Sequence, residues 1–315
     1  MEKKEINIDK IKPFIKWVGG KGQTIEKIFE NFPNTISDYY EPFVGGGAIL
    51  IELLKRLFKK QILLEGSIYI NDVNNDLINV YKMIKNNVKY LLIELDKIEK
   101  NYTKAPSINY PKRHIFSIDL NEPIENVITK GKQYLYFYYR TKYNNINITN
   151  EEKAILFIFL NKAGFRGLYR VGKNGFNVPF GNYDKIQFYE KNNLLALNLL
   201  FNKYNVIFSS CDYNEIFINS FKSNTFVYLD PPYYPVKNSS FVNYEKNGFN
   251  TNEHLKLLEL CKHLDTKKVK FLQSNSFCEF NKNSYSQFNI ETIVSKRRIN
   301  SINPKQIDSE LLISN

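Results

Sequence analysis

The stretch that decides the fold is residues 38–47, which read Asp-Tyr-Tyr-Glu-Pro-Phe-Val-Gly-Gly-Gly. Its first seven residues are typical of a short strand, and the three glycines form a turn that opens a helix. The next residues place apolar side chains at helical spacing, namely Ile49, Leu50, Leu53, Leu54, Leu57 and Phe58. A second short strand, residues 67–71, ends at Asp72, and residues 76–86 resume a helical pattern. This order of elements predicts a parallel βαβ unit.

The last third of the chain returns to the same kind of pattern. We expect a buried helix at residues 193–201, a strand at 206–209 that leads to Asp212, a helix at 254–264 and a strand at 269–272 followed by an edge loop at 274–276. The β-rich run at residues 225–229 stops at Asp230-Pro231-Pro232-Tyr233. Two prolines cannot continue a central strand, so these four residues form a loop at the carboxyl edge of the sheet, where open α/β sheets bind ligands.

Residues 85–192 differ from both flanks because they are polar, rich in Asn and Lys, and aromatic. We interpret them as a mainly helical domain inserted into the α/β part. The predicted fold is therefore a Rossmann-like, doubly wound α/β catalytic domain formed by residues 1–84 and 193–315, with residues 85–192 as the insert.

Composition narrows the classes of function. The formal net charge of +12 indicates an anionic partner such as nucleic acid, although the bias towards Lys, Asn and Ile is also what AT-rich coding DNA produces. The odd number of cysteines, three, without metal-ligand spacing, argues against disulfides and structural zinc and fits a reducing cytoplasm. No histidine pair has metal-binding spacing, so we expect no metal. Since no apolar run approaches roughly 18 residues, we expect no membrane span.

The Asp230–Tyr233 loop suits chemistry on an amine of a flat base. A carboxylate and a nearby backbone carbonyl accept the hydrogens of an amine, a tyrosine ring stacks on a base, and prolines hold the acceptors in place. The alternative is a turn stiffened by proline and capped by an aspartate. The tyrosine and the preceding apolar strand favour the first interpretation.

Seven stretches of the chain resemble the DNA adenine N6-methyltransferase (Dam) family, which acts on GATC, and they occur in the family's order. They are Lys16–Lys21, Glu41–Gly47, Asn71–Asn74, Asn161–Arg170, Phe176–Gly181, Asp230–Tyr233 and Glu310–Ile313. The resemblance implies that the chain transfers a methyl group from S-adenosylmethionine to N6 of an adenine flipped out of double-stranded DNA. An Asp-Pro-Pro-Tyr motif rather than Asn-Pro-Pro-Tyr, with the basic insert, favours DNA over RNA or protein glutamine as substrate.

The resemblance also implies roles for individual residues. The catalytic residues are Asp230, Pro231, Pro232 and Tyr233, and the residues that contact the cofactor are Trp17, Lys21, Phe43, Gly45, Gly47, Asp72, Asp212 and Asp230. From the residues alone, Asp72 and Asp212 are equally typical of helix or turn caps, the glycines of a tight turn and Trp17 of a core anchor. A phosphate loop is excluded, because Gly19-Gly20-Lys21 lacks the upstream glycine and the following hydroxyl residue of that motif.

DNA recognition is assigned by the resemblance to Lys16, Arg166, Leu168, Arg170 and Tyr183. Arginine pairs with guanine in the major groove, whereas lysine mostly holds phosphate. Arg166 departs from the family, in which asparagine is common. A solvated basic loop is the alternative for any single cation here.

The resemblance leaves the biological setting open. We expect a monomer that acts on the same site as a cognate restriction endonuclease. The alternative of a different class is a DNA-binding regulator that has lost activity, which the intact Asp72, Asp230, Tyr233 and glycine loop disfavour.

Overall fold

The computed structural model describes residues 7–111, 114–217, 221–235, 249–296 and 307–315, and the chain forms two compact units. The sheet unit comprises residues 21–73 and 204–315, and the helical unit comprises residues 1–20 and 74–203. The predicted domain boundaries, at 84/85 and 192/193, differ from the limits of these two units, which lie at 73/74 and 203/204. The helices that flank the predicted insert pack on each other and on its helices, so they belong to the helical unit.

The sheet unit contains a central, mostly parallel sheet of seven strands. Its helices are α1 (Ile25–Glu30), α2 (Ala48–Phe58), α8 (Thr251–Thr266) and α9 (Glu279–Ser284). Its strands are β1 (Thr35–Ile36), β2 (Tyr39–Glu41), β3 (Leu63–Leu64), β4 (Ile68–Asn71), β7 (Val206–Ser209), β8 (Phe226–Leu229), β9 (Lys270–Ser276), β10 (Asn289–Lys296) and β11 (Ile307–Ser314). The short strands β1 and β3 pair separately, in parallel.

The strand order β10-β11-β9-β8-β2-β4-β7 reverses direction in the middle of the sheet. The chain runs from β2 outward to β4 and β7, and then returns to β8 on the other side of β2. The strands from β9 to β7 are parallel to one another, while β11 runs antiparallel between β9 and β10. The loops after β2 and β8 therefore leave neighbouring strands at the same edge, at the point of reversal, where open α/β sheets bind ligands.

Local sequence explains the elements next to this edge. The predicted βαβ unit is confirmed, since β2 pairs in parallel with β4 and α2 lies between them in the chain. Helix α2 begins at Gly47, whose φ of 74° favours glycine, and it buries the predicted apolar side chains except Phe58. Every residue of β8 is buried, as its unbroken apolar run predicts.

The helical unit is built from five α-helices, two short 3-10 helices and one small hairpin in its described residues. They are α3 (Asn75–Lys104), α4 (Ile124–Thr129), α5 (Gly131–Tyr143), α6 (Asn150–Ala163), α7 (Lys191–Lys203) and the hairpin of β5 (Val171–Gly172) and β6 (Gly175–Phe176). Helix α6 starts with a capping box between Thr149 and Glu152 and is buried on nearly all sides. Its neighbours α3 and α5 pack around it.

Two predicted elements end elsewhere than expected. The predicted helix at residues 76–86 is the first part of α3, which bends at Asn87 (φ −142°, ψ 41°) and continues to Lys104. The predicted edge loop at 274–276 is wrong, because these residues belong to β9 and pair with β11, which the sequence did not reveal. Among the described residues, no helix combines the length and apolar character needed to cross a bilayer.

Candidate active site

The Asp230–Tyr233 loop leaves β8 at the edge where the glycine loop leaves β2. Strand β8 pairs with β2 on one side and β9 on the other, and it ends at Leu229. Pro231 and Pro232 have no N–H to donate to a ladder, so the strand cannot continue. The structure thus places the predicted catalytic residues at the point of strand reversal.

Asp230 forms a buried ion pair. Its Oδ1 lies 2.8 Å from Nζ of Lys21, and the side chains are 19% and 5% exposed, respectively. Burial raises the pKa of the Asp230 carboxyl above its ordinary value, while the Lys21 ammonium opposes this effect. The same ammonium lies 4.6 Å from the centroid of the Tyr233 ring. Lys21 therefore holds both the acceptor and the ring of the predicted catalytic loop.

Two further carboxylates accept hydrogen bonds from tyrosines in this unit. The hydroxyl of Tyr233 donates to Oε2 of Glu310 at 2.9 Å, and the hydroxyl of Tyr39 donates to Oε2 of Glu41 at 2.9 Å. Burial is the main cause that raises the pKa of Tyr233 and of Glu41 well above their ordinary values. Both glutamates lie in stretches that resemble the family, but no role was predicted for either. Glu41 follows two tyrosines in β2 and Glu310 precedes three apolar residues in β11, and a carboxylate beside such residues was the available signal.

The glycine loop is tied to the end of β4. The N–H of Gly45 donates to Oδ2 of Asp72 at 3.0 Å, and the N–H of Val44 donates to the Asn71 carbonyl at 2.9 Å. Gly45 and Gly47 have φ values of 48° and 74°, which favour glycine. The predicted cofactor residues Asp72, Gly45 and Gly47 are therefore brought together.

One buried amide at the end of β4, for which no role was predicted, joins two loops of this edge. Asn71 is fully buried; its Nδ2 donates to the carbonyls of Pro42 (3.2 Å) and Cys211 (3.0 Å), and its Oδ1 accepts from the N–H of Cys211 (3.0 Å). These loops follow β2 and β7. An amide can donate and accept at once, so one side chain fixes both loops to the end of β4.

Two other predicted cofactor residues have structural partners. Oδ1 of Asp212 accepts from the backbone and side-chain nitrogens of Asn214, both at 3.0 Å, which is the turn-capping alternative. The ring of Phe43 lies 5.2 Å from that of Tyr213 at the margin of the apolar core. Asp212 is nevertheless exposed after β7, so capping does not preclude a second contact.

Trp17 belongs to the helical unit. Its ring centroid lies 6.2 Å from that of Phe157 and 5.7 Å from that of Tyr169. This is the core-anchor alternative of the sequence analysis. Its contact with the cofactor stays a prediction.

The predicted DNA-contacting residues gather around a second buried amide, Asn161. Its Oδ1 accepts from the N–H of Lys16 at 2.9 Å, and its Nδ2 donates to the carbonyls of Lys16 (2.8 Å) and Gly167 (3.0 Å). Nζ of Lys16 lies 5.2 Å from the centroid of the Tyr183 ring, whose hydroxyl accepts from the N–H of Arg166 at 3.3 Å. Asn161, which the sequence analysis left without a role, joins segments 145 residues apart.

The cations of this cluster face solvent. Arg166 is exposed and has a φ of 56°, which turns the chain sharply, and Leu168 beside it is 37% exposed. Arg170 is exposed too, but Asn177 braces it through Nε (2.6 Å to Oδ1) and Nη2 (3.1 Å to the carbonyl). Of the five N–H donors of an arginine, these contacts engage two. We call Lys16, Arg166, Leu168, Arg170 and Tyr183 the basic loop.

The groups at the sheet edge suit a ligand of the nucleoside type. Within the described ranges, no group of three or more His, Cys, Asp and Glu side chains could hold a metal. At the sheet edge, a carboxylate at Asp72 suits ribose hydroxyls, the left-handed glycines let a ligand approach the backbone, and the Lys21 ammonium suits a carboxylate. These are the requirements of a nucleoside joined to an amino acid.

Comparison with known proteins agrees with this chemistry. The model of the D12 class N6 adenine-specific DNA methyltransferase family matches residues 17–299. The chain is 37% identical to Type II methyltransferase M.MjaIII of Methanocaldococcus jannaschii, over 97% of this chain and 99% of that protein. It is 29% identical to Type II methyltransferase M1.LlaDCHI of Lactococcus lactis, over 94% and 91% of the two chains. It is also 29% identical to a DNA adenine methylase of Haemophilus influenzae, over 97% and 93%.

Proposed function

This chain belongs to the D12 class of N6 adenine-specific DNA methyltransferases, and we propose that it uses S-adenosylmethionine to methylate adenine within GATC in double-stranded DNA. The observation that carries the proposal is the buried Lys21–Asp230 ion pair beneath Tyr233, at the sheet edge that also presents the glycine loop.

In the proposed mechanism, the target adenine leaves the duplex and enters the site of the sheet unit. The Asp230 carboxylate and the Pro231 carbonyl accept the two hydrogens of the N6 amine, which frees its lone pair from the ring. Tyr233 stacks on the base. Because the ion pair and the prolines hold these acceptors before the base arrives, little reorganisation is needed during the reaction.

The residues at the sheet edge fit S-adenosylmethionine. Asp72 accepts from the ribose hydroxyls, the loop of Gly45 and Gly47 passes close to the ligand, and Lys21 meets its carboxylate. Trp17, Phe43 and Asp212 complete the proposed set, with Asp212 accepting from the adenine amine. When bound, S-adenosylmethionine supplies an electrophilic methyl group on its sulfonium.

We assign target recognition to the helical unit and GATC readout to its basic loop. Arg170, already braced by Asn177, is pre-oriented for a guanine, since less conformational freedom is lost on binding. Leu168 and Tyr183 contact the DNA beside the target. Arg166 replaces the asparagine common in the family, so the contact at that position differs from the family's.

We further propose that the chain acts as a monomer and protects DNA against a restriction endonuclease that cuts the same site. Two relatives named type II methyltransferases support this role.

The test is a transfer assay with labelled S-adenosylmethionine and duplexes that differ only in a GATC or a scrambled site. We expect label only in the GATC duplex, recovered as N6-methyladenine, and thermal stabilisation of the protein by the cofactor. Equal labelling of both duplexes would overturn the assigned target. Recovery of all label on cytosine would overturn adenine as the substrate.

A further inference from the structure

The catalytic loop is held by side chains rather than by a strand ladder. The N–H of Tyr234 donates to Oδ1 of Asn275 at 3.2 Å, and its carbonyl accepts from Oγ of Ser276 at 2.7 Å. The preceding residue, Tyr233, donates its hydroxyl to Glu310 at 2.9 Å. Strands β9 and β11 thus supply every one of these three contacts.

Glu310 and Ser276 lie opposite each other in the sheet. The antiparallel register of β9 and β11 pairs Glu310 with Ser276, and Glu310 also pairs with Ile293 on β10. A residue flanked by strands on both sides has little backbone freedom. The carboxylate is therefore presented to the Tyr233 hydroxyl from a rigid support, as precise placement of a reacting group requires.

A carboxylate is a costly choice for this contact if stability alone is at stake. Glu310 stands near Asp230, and its negative charge acts against ionisation of the Asp230 carboxyl, whose pKa it raises. A neutral acceptor would bind the hydroxyl without that repulsion. Such unfavourable electrostatics are typical of functional sites.

We propose that Glu310 is a positioning residue for methyl transfer, whose carboxylate fixes the plane of the Tyr233 ring against which the target adenine stacks. The inference rests on the proposed function, because it needs the base to stack on Tyr233. Glu310 acts through the tyrosine and does not touch the substrate.

The test compares Glu310→Ala, Glu310→Gln, Tyr233→Phe and the double variant Glu310→Ala/Tyr233→Phe in the full-length chain. Single-turnover methylation, cofactor affinity and melting temperature are measured for each. Glu291→Ala is the matched control, because Glu291 lies on neighbouring β10, is exposed and contacts Asn31.

We expect Glu310→Ala to slow methyl transfer by about 10- to 100-fold, since a small misplacement of the base has effects of this size. Tyr233→Phe slows it equally, and the double variant is no slower than either, because both changes remove one hydrogen bond. Glu310→Gln keeps an acceptor and stays within about threefold of the wild type. The acid limb of the pH–rate profile of Glu310→Gln shifts to lower pH, because Asp230 then ionises without a neighbouring negative charge.

A merely structural role for Glu310 gives a different result. Loss of cofactor affinity and melting temperature in parallel with rate, or additive effects in the double variant, would overturn the inference. The inference would also be overturned if the wild type methylates adenine and Glu310→Ala does so at the same rate. A wild-type chain that methylates no adenine in any duplex overturns the proposed function instead, and this inference with it.

Discussion

The proposed catalytic cluster of the sheet unit and the basic loop of the helical unit use charge in opposite ways. This cluster consists of Lys21, Tyr39, Glu41, Asp230, Tyr233 and Glu310. In the cluster, Lys21 is 5% exposed and paired with Asp230, and the tyrosine hydroxyls donate to glutamates. In the basic loop, Lys16, Arg166 and Arg170 are exposed, and no ion pair of the described residues involves them. Asn161 fixes the backbone of Lys16 and Gly167, and Asn177 braces the side chain of Arg170.

The difference follows from what we propose that each region does. Acceptors for a reacting amine act best when they are already oriented in a site of low dielectric, so their charges must be balanced inside the protein. Cations that bind a polyanion gain from staying unpaired until DNA arrives, because counterions then leave the phosphates. We therefore expect buried, paired charges where methyl transfer takes place, and exposed charges on a rigid backbone where DNA is recognised.

The largest effect is expected for Asp230→Asn, which keeps the shape of the side chain and removes its charge. We expect methyl transfer to fall by about 10²- to 10³-fold, since one positioned acceptor of the reacting group is weakened. DNA affinity, measured by fluorescence anisotropy, should not change.

Asp265→Asn is the control, an exposed aspartate on α8. If Asp230→Asn kept the wild-type rate, the buried ion pair would serve stability alone and the contrast between the two regions would fail.

The next effect concerns Arg170→Ala in the basic loop. It should reduce discrimination between GATC and a duplex with the guanine replaced by about 1–3 kcal/mol, the value of a good arginine–guanine contact. The ratio of kcat/KM for the two duplexes measures this discrimination, and cofactor affinity should stay unchanged.

Lys89→Ala, which removes an exposed cation from α3, is the matched control. Equal loss of activity on both duplexes after Arg170→Ala would mean that the arginine holds phosphate and does not read the base.

The smallest effect tests whether an unpaired charge is tolerated in the buried surroundings of the catalytic loop. His254 is 2% exposed, its ring lies 5.1 Å from that of Tyr234, and burial lowers its pKa from 6.5 to about 4. Between these values the unfolded chain binds the proton and the folded chain does not, so stability is lost as pH falls from 6.5 towards 4.

His254→Phe should remove about 1–2 kcal/mol of this loss between pH 7 and pH 5, as measured by urea unfolding at each pH. His263→Gln, at an exposed histidine on the same helix, should leave the pH dependence as in the wild type. An unchanged slope in His254→Phe would show that this histidine is accessible to protons in the folded state.

The sequence was most informative where a pattern is local. Strand β2, the glycine turn and α2 follow one another, so their order and the positions of Asp72 and Asp230 could be predicted. The polar residues that hold the loops could not. Asn71 bonds to Cys211 across 140 residues, and Tyr233 to Glu310 across 77, and no periodicity records such pairs.

Some element boundaries were predicted wrongly for related reasons. Helix α3 was predicted to stop near the bend at Asn87, where the helical geometry is interrupted although the helix continues. The extent of β9 depends on pairing with β11, a strand that its own sequence did not reveal. The limits of the units depend likewise on helix packing, which a local pattern does not encode.

The hydrogen bonds of Asn161 also have a consequence for folding during synthesis. The backbone of Lys16 must wait for a partner made 145 residues later. At a synthesis rate of about 5–20 residues per second, this wait lasts roughly 7–30 s. The hydrogen bonds that hold the backbone of Lys16 to Asn161 therefore form only after α6 has been synthesised.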